Sequence, residues 1–300
     1  MSRVLLTVDL SWQVYRNCAA HPQLRTPDGT FTGGVYGFLQ SFSKAVRETG
    51  ATDVVVCRDS KPYRRSLDYP AYKQLRKTAQ DPDLRRMYGE TEPIVLDLLG
   101  AMGVPVWAVP GFEADDLSGH AVRSCRSRYS RIYANANDSD LYQLLDAPGF
   151  AVYKDSIGLA VDRSALLRLH GLSPHEFLLA SALQGTHNDI EGIKGVGPKK
   201  AMNAVLDPAL MRGYRAANGD VIDRNLALIR LPHPDFPRGE RVPQRGAVVF
   251  DARRLYRWCS RYEIECTLSM VNAFEQIDNR RHTNERDAEQ QPGRVRRRPL

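Results

Sequence analysis

Short runs of continuous or alternating apolar residues take turns along this chain with stretches whose apolar positions recur every three to four residues. The strand-like runs are Val4–Val8, Asp53–Cys57, Val104–Val109, Arg131–Ala134 and Ala151–Lys154. Between them lie amphipathic stretches with helical spacing, Gly37–Thr49, Thr91–Met102 and Asp115–Arg128. Such alternation predicts an α/β fold with a parallel central sheet and flanking helices. A polar segment with several aromatics, about residues 61–90, breaks the pattern and is too long for a plain connection, so it reads as a lid or functional insertion. After Asp162 the pattern turns helical, with Leu166–Leu169, Pro174–Leu183, a glycine-punctuated turn at Gly192–Gly197, a helix from Pro198 and a last helix over about Ala252–Cys266. Residues 206–250, rich in Pro, Gly and Arg, yield no clear element. The expected organisation is an α/β domain over 1–180 and a helical region over 181–277 with a hairpin at about 185–205. A polar tail over 278–300, ending Arg294-Val295-Arg296-Arg297-Arg298, is expected to be disordered.

Composition narrows the function classes. Three hundred residues at 42% apolar content are ample for a buried core. No run reaches the roughly 18 apolar residues of a membrane helix, and the N-terminus opens on a strand rather than a secretory signal. Cys18, Cys57, Cys125, Cys259 and Cys266 are scattered without a CxxC pair, which predicts reduced thiols, a cytoplasmic setting and no zinc site. The net charge of +7 favours a polyanionic partner but does not by itself establish one.

The acids carry more. Asp9 ends the first strand-like run and Asp59 lies just beyond the second, Glu113, Asp115 and Asp116 follow the third, and Asp138 and Asp140 follow the fourth. Ligands of open parallel sheets bind outside the carboxyl ends of the strands, where these side chains would converge. Any one of them could be a helix N-cap. The set cannot be explained that way, because like charges about 4 Å apart cost on the order of 4 kcal/mol per pair at an effective dielectric near 20. Cations must neutralise them, and an all-oxygen donor set suits Mg²⁺ or Mn²⁺. Two such ions around a phosphodiester are the natural chemistry. The insertion adds Arg64, Arg65, Lys73, Arg76, Lys77, Arg85 and Arg86 interleaved with Tyr63, Tyr69, Tyr72 and Tyr88, a mixture found in single-strand channels. Gly192, Gly195 and Gly197, beside Lys194, Lys199 and Lys200, would let backbone amides approach a phosphate.

Local motifs then resemble one family. Gly111-Phe112-Glu113-Ala114-Asp115-Asp116 and Asp138-Ser139-Asp140-Leu141 resemble the acidic signatures of the 5′ nuclease domain of bacterial DNA polymerase I and of phage 5′ exonucleases. Thr26-Pro27-Asp28-Gly29 with Thr32–Phe38, Tyr72-Lys73-Gln74-Leu75-Arg76, and Gly192–Ala201 resemble, in family order, the segment after the first strand, the helical arch and the helix–three-turn–helix hairpin. The resemblance, over about residues 4–205, implies a PIN-like α/β nuclease fold and a flap endonuclease or 5′→3′ exonuclease. By it, Asp9, Asp59, Glu113 and Asp115 serve one metal, Asp115, Asp138 and Asp140 serve or border a second, and Asp116 stands outside them. Lys73 and Arg76 stabilise the scissile phosphate; Arg64, Arg65, Tyr72 and Lys77 contact DNA with the hairpin residues. It implies two Mg²⁺ or Mn²⁺ ions, a K⁺ ion at the hairpin, and a monomer acting on DNA with 5′ ends, flaps or junctions, or on an RNA–DNA hybrid. One departure stands out: where the family has GDxxDN, this chain reads Gly185-Thr186-His187-Asn188-Asp189. Asp189 is taken as the ligand there, with Asn188 or His187 as alternatives.

Overall fold

A computed structural model describes residues 3–75, 81–154, 157–244 and 250–277. Its centre is a six-stranded sheet formed by β1 (Val4–Asp9), β2 (Asp53–Cys57), β3 (Val106–Trp107), β4 (Arg131–Asn135), β5 (Phe150–Lys154) and β6 (Leu159–Val161). The strand order is β3-β2-β1-β4-β5-β6, parallel except for the β5–β6 edge pair, which is antiparallel. The chain winds outward from β1 to β3 and then returns to place β4 on the other side of β1. That reversal opens a crevice above the carboxyl ends of β1 and β4, the usual ligand position in such sheets.

Helices cover both faces. Side chains of β1 alternate, with Leu6 and Val8 joining one core and Leu5 the other. The first core holds α1 (Leu10–Ala20), α2 (Gly33–Thr49), α4 (Pro82–Ala101), α10 (Ala252–Arg261) and a helical stretch over 268–277. The second is built on α5 (Ala114–Cys125), with Leu166 of α6 (Arg163–His170) beneath the sheet edge. A third cluster joins α7 (Pro174–Gln184), α8 (Pro198–Leu206) and α9 (Pro208–Ile229) around Leu183, Ala201 and Ile222. The β7–β8 pair, Gly185–Thr186 with Ile190–Glu191, separates α7 from α8. A short helix, α3 (Arg64–Asp68), follows β2. No helix among the described residues is long and apolar enough to cross a membrane.

Several boundaries differ from the sequence expectation. α1 starts immediately after β1, with no intervening turn signal, because Asp9 caps it by accepting from the Trp12 amide at 3.0 Å. α2 begins at Gly33, four residues before the amphipathic stretch expected from Gly37. A β-carbon on Gly33 would lie 1.9 Å from the His21 carbonyl oxygen and one on Gly34 2.5 Å from Cys18 Sγ, so these glycines let α2 close onto α1. β3 shrinks to two residues between Pro105 and Pro110, and β6 adds the antiparallel edge. α4 is one helix from Pro82, so residues 82–90 of the expected insertion continue the helix read from Thr91. The unplaced stretch contains α9. The helix expected over Ala252–Cys266 ends at Arg261, and a further helical stretch over 268–277, not expected, follows it.

Candidate active site

Asp9 at the end of β1, Asp59 after β2, Asp115 in the first turn of α5 and Asp138 after β4 line one cleft of about 570 Å³. Asp140 and Asn188 line a small second pocket that shares Asp115, Glu113 and Lys73 with the cleft. Short hydrogen bonds fix the carboxylates. Asp59 Oδ1 accepts from the Ala114 amide at 2.8 Å, and its Oδ2 accepts from the Tyr63 hydroxyl at 3.2 Å. Asp138 caps a 3-10 turn (Ser139–Leu144), accepting from the Asp140 amide at 2.8 Å. These bonds leave the acids mutually repelling. Burial, then Asp59, pushes Asp9 up to about 7. Burial, then Asp138, does the same to Asp140, also to about 7. Asp115 is pushed well above the carboxylate range by burial and by Asp138 and Asp9.

Two buried oxygens here have no hydrogen-bond partner among the described residues: Asp115 Oδ1 and Asn188 Oδ1. An orphaned buried acceptor costs about 1–3 kcal/mol, more when charged. Raised carboxylates, orphaned oxygens and an all-oxygen set fit divalent ions of the Mg²⁺ or Mn²⁺ kind.

Beside the cleft, the charges are already balanced. Arg65 is 4% exposed, and its guanidinium bonds Asp116 through both oxygens at 2.6 and 2.8 Å and Glu113 at 3.0 Å. It also donates to the carbonyls of Leu228 at 2.6 Å and Arg230 at 3.2 Å. Asp116 further accepts from the Glu113 and His233 amides at 3.1 and 2.8 Å. Glu113 accepts from Tyr72 at 2.8 Å and Lys73 Nζ at 2.6 Å. Burial pushes Glu113 up, but Lys73 and Arg65 outweigh it and hold the carboxyl below its usual range.

This geometry corrects several expectations. Arg65 and Tyr72 are interior groups, not nucleic-acid contacts, because the clamp consumes their polar atoms. Asp116, expected to stand outside the ions, is saturated by Arg65 and two amides. Arg64 pairs with Asp68 at 3.4 Å and Asp235 at 2.9 Å instead of facing the cleft. Asp68, His233 and Asp235 cluster within 4.8 Å, and Arg64 already supplies the positive charge this group needs. Asp189 turns away: held at φ +61°, it accepts from the Leu75 amide at 2.8 Å, while its neighbour Asn188 is 3% exposed beside Asp140. His187 lies 3.7 Å from Asp138 at the rim. Arg76 and Lys77 fall outside the described residues, as does the tail over 278–300.

Residues not singled out as site residues complete the cleft. Trp12 lines it with Tyr15, Tyr63 and Tyr88. Tyr15 and Tyr88 stack at 4.3 Å between centroids. The signal was the helical spacing of Trp12 and Tyr15 behind Asp9, legible only once α1 is recognised. Trp107 is in the core.

In the hairpin, Gly195 adopts φ +78° and Gly197 precedes α8 without a side-chain cap, leaving the first amides of the helix open. Lys194 and Lys199 are exposed; Lys200 bonds the Gly195 carbonyl at 2.8 Å. Gly192 packs tightly, since a β-carbon would meet the Gln184 carbonyl carbon at 2.2 Å. The backbone of this region also touches the insertion, with the Lys73 amide donating to the Asn188 carbonyl at 3.0 Å.

Residues 4–168 match the family described as 5'-3' exonuclease, N-terminal resolvase-like domain. The chain is 32% identical over 204 residues to the thermostable DNA polymerase I of Thermus thermophilus, covering 68% of this chain and 24% of that one. It is 29% identical over 203 residues to the 5'-3' exonuclease of Aquifex aeolicus, covering 67% of this chain and 68% of that one. The chain thus spans only about a quarter of the polymerase relative. Among solved structures, a bacteriophage T5 flap endonuclease in a complex with DNA and metal ions superposes with TM-score 0.64 at 18% identity, covering 77% of this chain and 90% of that one. Flap endonuclease-1 from Methanococcus jannaschii gives TM-score 0.59 at 14% identity, covering 93% of each. These two likenesses speak for the fold, and the match over residues 4–168 for the family: the chain belongs to the 5'-3' exonuclease family through its N-terminal resolvase-like domain.

Proposed function

We propose that this protein is a divalent-metal-dependent nuclease that hydrolyses a DNA phosphodiester near a 5′ end or a single-strand/double-strand junction. The observation that carries the reading is the convergence of Asp9, Asp59, Asp115, Asp138 and Asp140, with one Asp115 oxygen buried and unbonded. Asp9, Asp59 and Asp115 would hold one ion, with Glu113 withdrawn from the expected set by its bonds to Arg65, Tyr72 and Lys73, and Asp115, Asp138 and Asp140 would hold the other. Two Mg²⁺ or Mn²⁺ ions, when bound, supply an activated water and charge stabilisation at the leaving oxygen.

The chain's own residues do the rest. Arg65 and Asp116 hold the N-terminus of α5, and with it Asp115, in place. Lys73, whose Nζ lies 5.6 Å from the Tyr63 ring centre, stabilises charge on the scissile phosphate from the cleft wall, with Arg76 as its expected companion. Trp12 and the Tyr15–Tyr88 stack offer faces to unpaired bases, which accept any base and therefore read no sequence. The amides at Gly195–Gly197, with Lys194 and Lys199, grip a duplex backbone, which positions without reading bases. A K⁺ ion at this loop belongs to the same proposal. Hydrolysis would leave 5′-phosphate and 3′-hydroxyl ends, in replication, repair or recombination. The T5 enzyme's complex with DNA and metal ions supports both partners.

The test is incubation with 5′-flap, blunt duplex, circular single-strand and RNA–DNA hybrid substrates, with Mg²⁺ or with chelator. Cleavage that needs the metal and favours a 5′ end or junction is expected. No cutting under any divalent ion would overturn the enzymatic reading, and equal cutting of circles and flaps would remove the requirement for a 5′ end.

A further inference from the structure

Asn188 is buried at 3% exposure, yet one of its two polar atoms is unused. Its Nδ2 donates to Asp140 Oδ2 at 3.4 Å, which orients the amide, because the opposite rotamer would set oxygen against oxygen. Oδ1 is then left without a partner in the pocket that Asn188 shares with Asp115, whose Oδ1 is equally orphaned. Two lone oxygens in one pocket, one anionic and one neutral, are of the donor type that an oxygen-liganded divalent ion takes. The neighbouring candidates do not compete. Asp189 is committed to the Leu75 amide, and His187 is 58% exposed.

We infer that Asn188 Oδ1 is a neutral ligand to the ion at Asp115, Asp138 and Asp140, so that this ion binds more weakly than the one at Asp9, Asp59 and Asp115. The inference rests on the metal-dependent reading above and specifies how the two ions differ. A carboxylate at this position would add a full negative charge to the shell. The amide adds only a dipole, so the second ion fills at a higher concentration than the first. The same amide spares the free protein a further buried acid against Asp140.

The test is Mn²⁺ binding by the full chain without DNA, followed by electron paramagnetic resonance of free ion and by calorimetry. The wild type should bind two ions with distinct affinities. Asn188→Asp should tighten the weaker one at least tenfold and leave the stronger within twofold. Asn188→Ala should weaken it at least fivefold, and Asp189→Asn should change neither beyond twofold. Thermal melting accompanies each variant, and Asn188→Asp, nearly isosteric, carries the test if the alanine variant does not fold. Two ions with unchanged affinities in Asn188→Asp would overturn the inference while leaving the metal-dependent reading intact, and so would loss of the weaker ion in Asp189→Asn. A wild type that binds no Mn²⁺ at millimolar concentration would overturn both.

Discussion

Asp115 and Asp116 are adjacent in the first turn of α5, yet they belong to opposite regions of the site. Asp115 faces the cleft with a buried oxygen that no described group bonds, and burial, then Asp138, Asp9 and Asp140, push its carboxyl upward. Asp116 points the other way, into a clamp where Arg65 and two backbone amides saturate both oxygens. One region is closed on itself; the other is charged and incomplete. The difference separates architecture from chemistry: the balanced acids hold the helix terminus still, and the unbalanced ones await something from solution.

The largest effect should come from the incomplete side. Asp115→Asn is expected to lower cleavage on the order of a thousandfold, the several kcal/mol that charge held on a metal contributes to a transition state. It should leave duplex affinity unchanged and the melting temperature equal or higher, because one repelling charge is gone. Turnover within tenfold of wild type would break the division between the two regions.

On the closed side the order of effects should reverse. Arg65→Ala leaves Asp116 buried without its partner, and urea denaturation should show a loss of about 3–5 kcal/mol. Replacing both with apolar residues, Arg65→Met with Asp116→Leu, should recover little of it, because the Glu113 and His233 amides and the Leu228 and Arg230 carbonyls lose their partners. If the single variant is as stable as wild type, the clamp is not what holds α5.

Solution pH sharpens the contrast next. Asp9 and Asp140 titrate at about 7 in the folded protein against an ordinary value of 3.8. Between those values the folded chain binds more protons than the unfolded one, so stability must fall as pH rises from about 4 to about 7. With chelator present, melting temperature should therefore decline across that window, and Mg²⁺ should restore it above pH 7. A flat profile in chelator would mean that the cleft acids do not repel. The smallest effect belongs to the rim of the clamp: Arg64→Ala breaks half-exposed pairs with Asp68 and Asp235 and should cost no more than about 1 kcal/mol in the same denaturation assay.

How much of this was legible beforehand depends on what each residue needs from distant chain. The acids at strand ends could be read because an open sheet sends every strand terminus to one edge, whatever the loops do. Asp9, Asp59, Asp115, Asp138 and Asp140 accordingly meet. Arg65 could not be separated from Arg64 by inspection, since both sit in a charged run and differ only in which face of α3 meets Asp116. The choice between Asn188 and Asp189 turned on one backbone dihedral, the positive φ of Asp189, that a Thr-His-Asn-Asp turn does not announce. α1 was hidden for a simpler reason: the residue that ends β1 is also the cap that starts the helix, leaving no punctuation between them.

The turn at residues 186–189 is stitched to the insertion at two places, Lys73 amide to Asn188 carbonyl and Leu75 amide to Asp189 carboxylate, at 3.0 and 2.8 Å. That turn leads directly into the glycine loop ahead of α8. On the proposed duplex grip, traction on the loop would be delivered, through a joint only a few residues wide, to the peptide that carries the Lys73 ammonium. Tightening one end of this linkage stiffens the other.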